Sequence, residues 1–162
     1  MQNANNFIIP EVTVYTDGGC KPNPGEGACC TLIKYQKQIK TISQYCSSTT
    51  NNKMELEAVL YALENLKQPC NVEIYSDSKY VVDIWEKHWL LDWAKAGWKR
   101  KSGKLENVEE LKRLLTAIRK HNSVKFIWVK GHSVNYFNNI CDSECSKAIE
   151  DKKGRIRTWI ED

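Results

Sequence analysis

The sequence holds no apolar run near the ~18 residues that a membrane-crossing helix needs, so it offers no candidate for a membrane span. Its opening residues, Met1 to Pro10, show no basic stretch followed by an apolar one, and they are not Arg-rich. Neither a secretory signal nor a transit peptide is legible there, and the cytoplasm is the expected compartment. No internal repeat, low-complexity tract or linker interrupts the chain. One domain over residues 1–162 is expected, with a core from about 11 to 150 and a loosely held tail over 152–162.

Cysteine is present but lacks the order of a disulfide framework. The seven thiols, Cys20, Cys29, Cys30, Cys46, Cys70, Cys141 and Cys145, are odd in number and irregular in spacing, which reads as reduced thiols. Cys141 and Cys145 would share a helix face with His132 not far off, but no second ligand pair follows. Small buried side chains are the plainer reading.

What is there suits a folded α/β protein. Hydrophobic residues make up 41% and charged residues 27%, enough for both a core and solubility. The net charge of +4 says little until its distribution is considered.

Glu11 to Thr16 alternates apolar and polar residues and reads as a strand. Asp17-Gly-Gly19 and Asn23-Pro-Gly25 mark a turn-rich loop. Ala28–Tyr35 and Ile39–Cys46 read as two further strands joined as a hairpin. After a polar connection over 47–52, a helix is expected from about Lys53 to Lys67, with Leu56, Val59, Leu60, Leu63 and Leu66 as its apolar stripe. Val72–Ser76 reads as a strand, and Ser78–Ala96 as helix, in one or two pieces. A basic loop leads to a helix from Asn107 to about His121, with Asn107 and Glu110 resembling a capping box. Val124–Val129 reads as a last strand and Ile140–Asp151 as a last helix. The order β-β-β-α-β-α-α-β-α predicts a mixed five-stranded sheet, three strands antiparallel, with helices on both faces.

Four acids then fall at telling places. Asp17 and Asp77 end the first and fourth strands, while Glu55 and Asp142 lie in the first turns of two helices. If those strands are parallel neighbours, all four carboxylates reach the carboxyl edge of the sheet, where ligands of open α/β folds collect. Carboxylates crowded together raise one another's pKa, and a hard divalent cation removes that penalty. Two such ions about 4 Å apart can activate a water and stabilise the leaving oxygen of a phosphodiester. Taken singly, each acid has a plainer reading: a turn, a helix dipole partner, a cap or a surface charge.

At these residues the sequence resembles a known family, type 1 ribonuclease H of the bacterial and phage kind. The matching stretches are Tyr15-Thr-Asp-Gly-Gly-Cys20, Asn23-Pro-Gly25, Thr50-Asn-Asn-Lys-Met-Glu-Leu56, Tyr75-Ser-Asp-Ser-Lys-Tyr-Val81, Trp128-Val-Lys-Gly-His132 and Cys141-Asp142. They stand in the family's order, from roughly Glu11 to Glu150. The resemblance implies a ribonuclease H fold and endonucleolytic hydrolysis of the RNA strand of RNA–DNA hybrids, leaving 5′-phosphate and 3′-hydroxyl ends. It implies two Mg2+ ions, with Mn2+ as an alternative, held by Asp17, Glu55, Asp77 and Asp142. His132 matches a loop histidine thought to aid proton transfer or product release. Cys20, Asn23, Asn51 and Asn52, with Thr50 beside them, match minor-groove contacts, where the 2′-hydroxyl distinguishes RNA from DNA. Lys79 departs from the uncharged polar residue of many relatives; a phosphate contact is one reading of it.

The segment Lys79 to Lys104 carries seven Lys/Arg against three acids, and four of the six Trp. Trp85, Trp89 and Trp93, four apart, would share one helix face. Aromatic faces flanked by cations suit nucleic-acid strands, and the resembling family grips the DNA strand with a basic handle here. Trp85 is read as core. Trp89, Trp93, Lys99 and Arg100 are read as substrate contacts. Leu90-Leu-Asp-Trp-Ala94 lacks the charges of the most basic handles, which shifts the positive cluster to 99–104. The expected partner is an RNA–DNA hybrid, with no membrane, and a monomer is expected. Two alternatives remain: a hybrid-binding protein that does not cut, and a same-fold nuclease acting on DNA.

Overall fold

Alternating buried side chains draw the first strands into a sheet. The structure, a computed structural model, describes residues 8–131 and 135–162. β1 (Glu11–Lys21), β2 (Gly25–Tyr35) and β3 (Gln38–Thr49) form an antiparallel meander. α1 (Asn51–Asn65) then crosses over to β4 (Asn71–Ser76), which lies parallel to β1. α2 (Lys79–Glu86), α3 (Trp89–Lys95) and α4 (Val108–Arg119) precede β5 (Ser123–Trp128), which is parallel to β4. α5 (Tyr136–Asp151) and β6 (Ile156–Ile160) complete the chain.

The sheet order is β5-β4-β1-β2-β3-β6. Six strands replace the expected five because the segment read as a loosely held tail returns to the sheet. β6 pairs antiparallel with β3, Ile42 opposite Ile156 and Gln38 opposite Ile160. Two features seat it. Gly154 passes so close to Ser43 that a Cβ would collide with the Ser43 carbonyl. Glu144 of α5, only 3% exposed, receives both Arg155 (2.8 Å and 2.8 Å) and Arg157 (2.8 Å). A buried carboxylate needs such partners, and here they come from the returning tail.

Helices cover both faces. On one, Leu56, Val59, Leu60 and Leu63 of α1 pack with Val14, Val72 and Ile74 of the sheet and Leu111 and Leu114 of α4. Each such buried side chain contributes about 1.5–3 kcal/mol. On the other, Cys141, Cys145 and Ala148 of α5 lie on Ala28, Cys30 and Leu32 of β2. The cysteines are free thiols, most of them buried, as small apolar side chains.

Local boundaries differ from expectation where caps decide them. Thr50 caps α1, its hydroxyl accepting from Lys53 N at 3.2 Å, so the helix begins two residues earlier than read and Glu55 lies in its second turn. Asn135 caps α5 by accepting from Phe137 N and Asn138 N, which lengthens that helix and puts Asp142 in its second turn as well. The capping box at Asn107 does not form. Asn107 is left-handed (φ 59°) and its side chain donates to the Tyr80 hydroxyl instead. β1 continues through Asp17-Gly-Gly19 as paired strand, so Asp17 sits within it and not at its end. His88, left-handed at φ 64°, divides α2 from α3. Trp85 therefore shares no helix with Trp89 and Trp93. It packs against the core and donates its indole N–H to Val124 O at 3.0 Å.

Candidate metal centre

Strand geometry opens the site. Parallel pairing of β1 with β4 ends at Tyr15 opposite Tyr75, whose rings stack 5.1 Å apart. Two residues further along each chain stand Asp17 and Asp77. Between them α1 delivers Glu55, because Gly18 lets the helix backbone come close: a Cβ at Gly18 would lie 2.6 Å from the Met54 carbonyl carbon and oxygen. Carboxylate oxygens of Asp17, Glu55 and Asp77 lie within 4.8 Å of one another. Asp142 of α5 is close enough to share a side-chain hydrogen bond with Asp17 and to add its charge there. Asp17, Asp77 and Asp142 line a cleft of about 670 Å³ together with Cys20, Asn51 and Gly131.

The electrostatics are those of crowded acids. Burial, then the charges of Asp77 and Asp142, push Asp17 up to about 7, partly offset by a hydrogen bond from the Gly18 backbone. Burial, then Asp17 and Asp77, push Glu55 well above the carboxylate range. Glu55 is 8% exposed, and its Oε1 has no hydrogen-bond partner. An unpartnered buried carboxylate oxygen aimed among other carboxylates is costly unless a cation completes it. An all-oxygen set of this kind suits a hard divalent ion.

The polar residues expected beside the acids form one network. Cys20 N donates to Asn51 Oδ1 (2.9 Å), Asn51 N donates to Asn23 Oδ1 (3.2 Å), and the Cys20 thiol faces Asn23 Oδ1 (3.4 Å). Asn23, Thr50 and Asn52 also line an adjoining depression of about 540 Å³ with Glu106 and Asn107. Trp89 and Trp93 stay paired on α3, ring centroids 6.1 Å apart; Trp89 is 37% exposed and Trp93 packs on the core. Lys99 and Arg100 are exposed in the segment after α3, Arg100 donating to Ser102 O. Lys79 is exposed at the start of α2, its ammonium 4.9 Å from the Trp128 ring centroid. His132 lies outside the described residues.

Sequence reading missed two neighbours of the acids. Cys145 lines the cleft and its thiol faces Asp17 O at 3.5 Å; its spacing of three from Asp142 on a helix was the available signal. Trp128 donates its indole N–H to Asp77 O at 3.1 Å. It stood in a quoted motif, but nothing in the sequence ties it to Asp77.

A mixed sheet that gathers carboxylates where two parallel strands stop pairing, with one buried carboxylate oxygen unpartnered, makes a candidate site for a divalent cation. The RNase H family model matches residues 10–150. The chain is 46% identical over 144 residues to a Ribonuclease H of Chlorobium phaeobacteroides, covering 88% of this chain and 98% of that relative. It is 39% identical over 146 residues to a Ribonuclease H of Caldicellulosiruptor saccharolyticus, covering 90% and 100%. Among solved structures it is similar to LC9-RNase H1, described as a type 1 RNase H with the type 2 active-site motif. The TM-score is 0.81 at 27% identity, covering 93% of this chain and 77% of that one. It shares the fold of LC11-RNase H1, solved in complex with RNA/DNA hybrid, with a TM-score of 0.66 at 23% identity over 87% and 98%. The chain belongs to the RNase H family.

Proposed function

We propose that this chain, acting as a single domain, hydrolyses the RNA strand of an RNA–DNA hybrid with two magnesium ions, manganese being the substitute. The observation that carries this reading is Glu55 Oε1, buried and unpartnered among carboxylates whose oxygens lie within 4.8 Å. Asp17, Glu55, Asp77 and Asp142 are the proposed ligands. Bound there, the ions would lower the pKa of a water and neutralise charge on the leaving 3′-oxygen.

The protein's own residues supply placement. Asp17 within β1 and Asp77 just past the end of its neighbour β4 fix the spacing of the acids. Glu55 closes the set from the helix side; burial and then the charges of Asp17 and Asp77 raise its pKa, a penalty that a bound cation would offset. Asp142, exposed on α5, completes the set from the open side. His132 is assigned proton transfer or product release from the family resemblance alone.

Hybrid recognition is assigned to Cys20, Asn23, Thr50, Asn51 and Asn52 at the minor groove, where small polar groups reach 2′-hydroxyls. Trp89, Trp93, Lys99 and Arg100 are assigned to the DNA strand. That a family structure has been solved with an RNA/DNA hybrid supports this choice of substrate. A monomer in the cytoplasm is the proposed working state.

The test is a cleavage assay with end-labelled hybrid, duplex RNA and duplex DNA, with and without magnesium. Cutting of the RNA strand of the hybrid, only with metal, is expected. Bound but intact hybrid would favour a silent binding protein, and equal cutting of duplex DNA a DNA nuclease.

A further inference from the structure

We propose that Trp128 is a positioning residue that holds Lys79 as a phosphate-binding group at the metal edge of the cleft. The inference deepens the hybrid-cleavage reading and rests on it.

The observations lie around one indole ring. Trp128 ends β5 and is 44% exposed, although tryptophan is ordinarily well covered. Its N–H donates to the backbone carbonyl of Asp77, 3.1 Å away, which fixes the ring beside that acid. The Lys79 ammonium sits over the same ring, 4.9 Å from its centroid. Lys79 has no salt-bridge partner among the described residues. Nearby Lys87, by contrast, pairs with Asp83 at 3.4 Å.

A lysine side chain free in solvent samples many rotamers, and ordering it on a ligand costs that rotamer freedom. The ring removes much of that freedom before any ligand arrives, and it does so without neutralising the charge. The result is a cation held ready two residues from Asp77, pointing no carboxylate at itself. Its fitting ligand is an anion in the strand that crosses the acids. In a nucleic acid that anion is a backbone phosphate next to the bond being cut. One ring therefore links the placement of that phosphate to the placement of Asp77.

The test compares wild type with K79Q, W128L, W128F and the double variant K79Q/W128L. Steady-state hybrid cleavage is read over a salt series, with hybrid binding measured separately without metal. K79Q and W128L should each raise KM about two- to fivefold, the size of an exposed cation–aromatic contact, with a smaller change in kcat. Each should make the salt slope shallower by about one, the mark of one lost phosphate contact. In the metal-free binding series the double variant should be no worse than either single one, since both remove the same phosphate contact and the Asp77 tether matters only with metal. W128F keeps a ring for Lys79 but loses the N–H, so it should restore KM and slope while requiring more magnesium.

An unchanged salt slope in K79Q, or multiplied effects on metal-free binding in the double variant, would overturn the proposal. So would W128F matching W128L, because the tether to Asp77 alone would then account for both. K79Q alters an exposed side chain and keeps the test decisive should W128L fail to fold. Wild type that binds hybrid without cutting it would overturn the catalytic reading, whereas the metal-free binding series would still report on Lys79 and Trp128.

Discussion

Gly18 of β1 lies against Met54 of α1 so closely that a Cβ would come within 2.6 Å of the Met54 carbonyl oxygen. That approach sets the height of the next residue, Glu55, against Asp17. Space for a methyl group is absent, so G18A must displace the helix. A stability loss of about 1–3 kcal/mol is expected from the overpacking. The more telling result is a higher magnesium requirement, because Glu55 moves with its helix. Chemical denaturation and a magnesium titration of cleavage measure the two.

Asp17 should be costly to the metal-free fold and indispensable to the reaction. Its carboxyl is half-buried, and burial and then the charges of Asp77 and Asp142 push its pKa up to about 7. D17N removes a charge from the cluster while preserving shape. Cleavage should fall by roughly a hundredfold or more, the scale of losing one charge-stabilising group. Melting temperature without metal should hold or rise at pH 8. Wild-type turnover by D17N would remove Asp17 from the metal set.

The same shift fixes a pH dependence with a definite sign. Asp17 rises from 3.8 to about 7 on folding, and Glu55 moves the same way. Folded protein therefore holds these protons more tightly than unfolded chain. The Asp17 contribution is full below pH 3.8 and is lost as pH climbs through about 7, and Glu55 acts in the same direction. Magnesium competes with those protons, so its apparent affinity should increase as pH rises toward 8. Thermal melts with and without magnesium, from pH 5 to 8, should converge at the acidic end and separate at the basic end.

The returning C-terminal strand should carry measurable stability. Removing Arg155 and Arg157 together leaves Glu144 buried without a partner, which costs about 3–5 kcal/mol. The paired Arg side chains lower the Glu144 pKa, so this contribution is present above the ordinary carboxylate range and fades as pH falls. Denaturation of R155A/R157A at pH 7 and pH 4 should show a large loss at the first and a smaller one at the second.

Lys99 and Arg100 are exposed and stand past the Trp89–Trp93 pair. Neutralising both should weaken hybrid binding and make its salt slope shallower by about two, one for each phosphate contact. Unaltered slope in a fluorescence-anisotropy titration would remove them from the DNA path.

Much of this molecule was legible in its sequence where periodicity or motif spacing governed. The apolar stripe of α1 announced its buried face, and the two-residue alternation in Glu11–Thr16 announced β1. Asp17, Glu55 and Asp77 were legible as neighbours because the first and fourth strands pair in parallel and the helix after the third strand packs across them, although Asp17 lies within its strand and Glu55 in the second turn of its helix. What escaped depended on partners far along the chain. β6 has no apolar run of its own and exists because Glu144 and Ser43 hold Arg155 in place. The choice between one helix and two over 78–96, left open by the sequence, is decided by one left-handed residue, His88, with no Gly or Pro to mark it. Asn107 and Glu110 matched a cap by spacing, yet Tyr80 claimed the asparagine side chain.

The most direct measurement is an anomalous diffraction map from crystals of D142N, chosen to slow turnover, soaked in manganese with hybrid bound. Two peaks about 4 Å apart, one of them touching Asp17, Glu55 and Asp77, are the predicted result. A map with no peak among those three side chains, in crystals where hybrid is seated over them, would contradict the account.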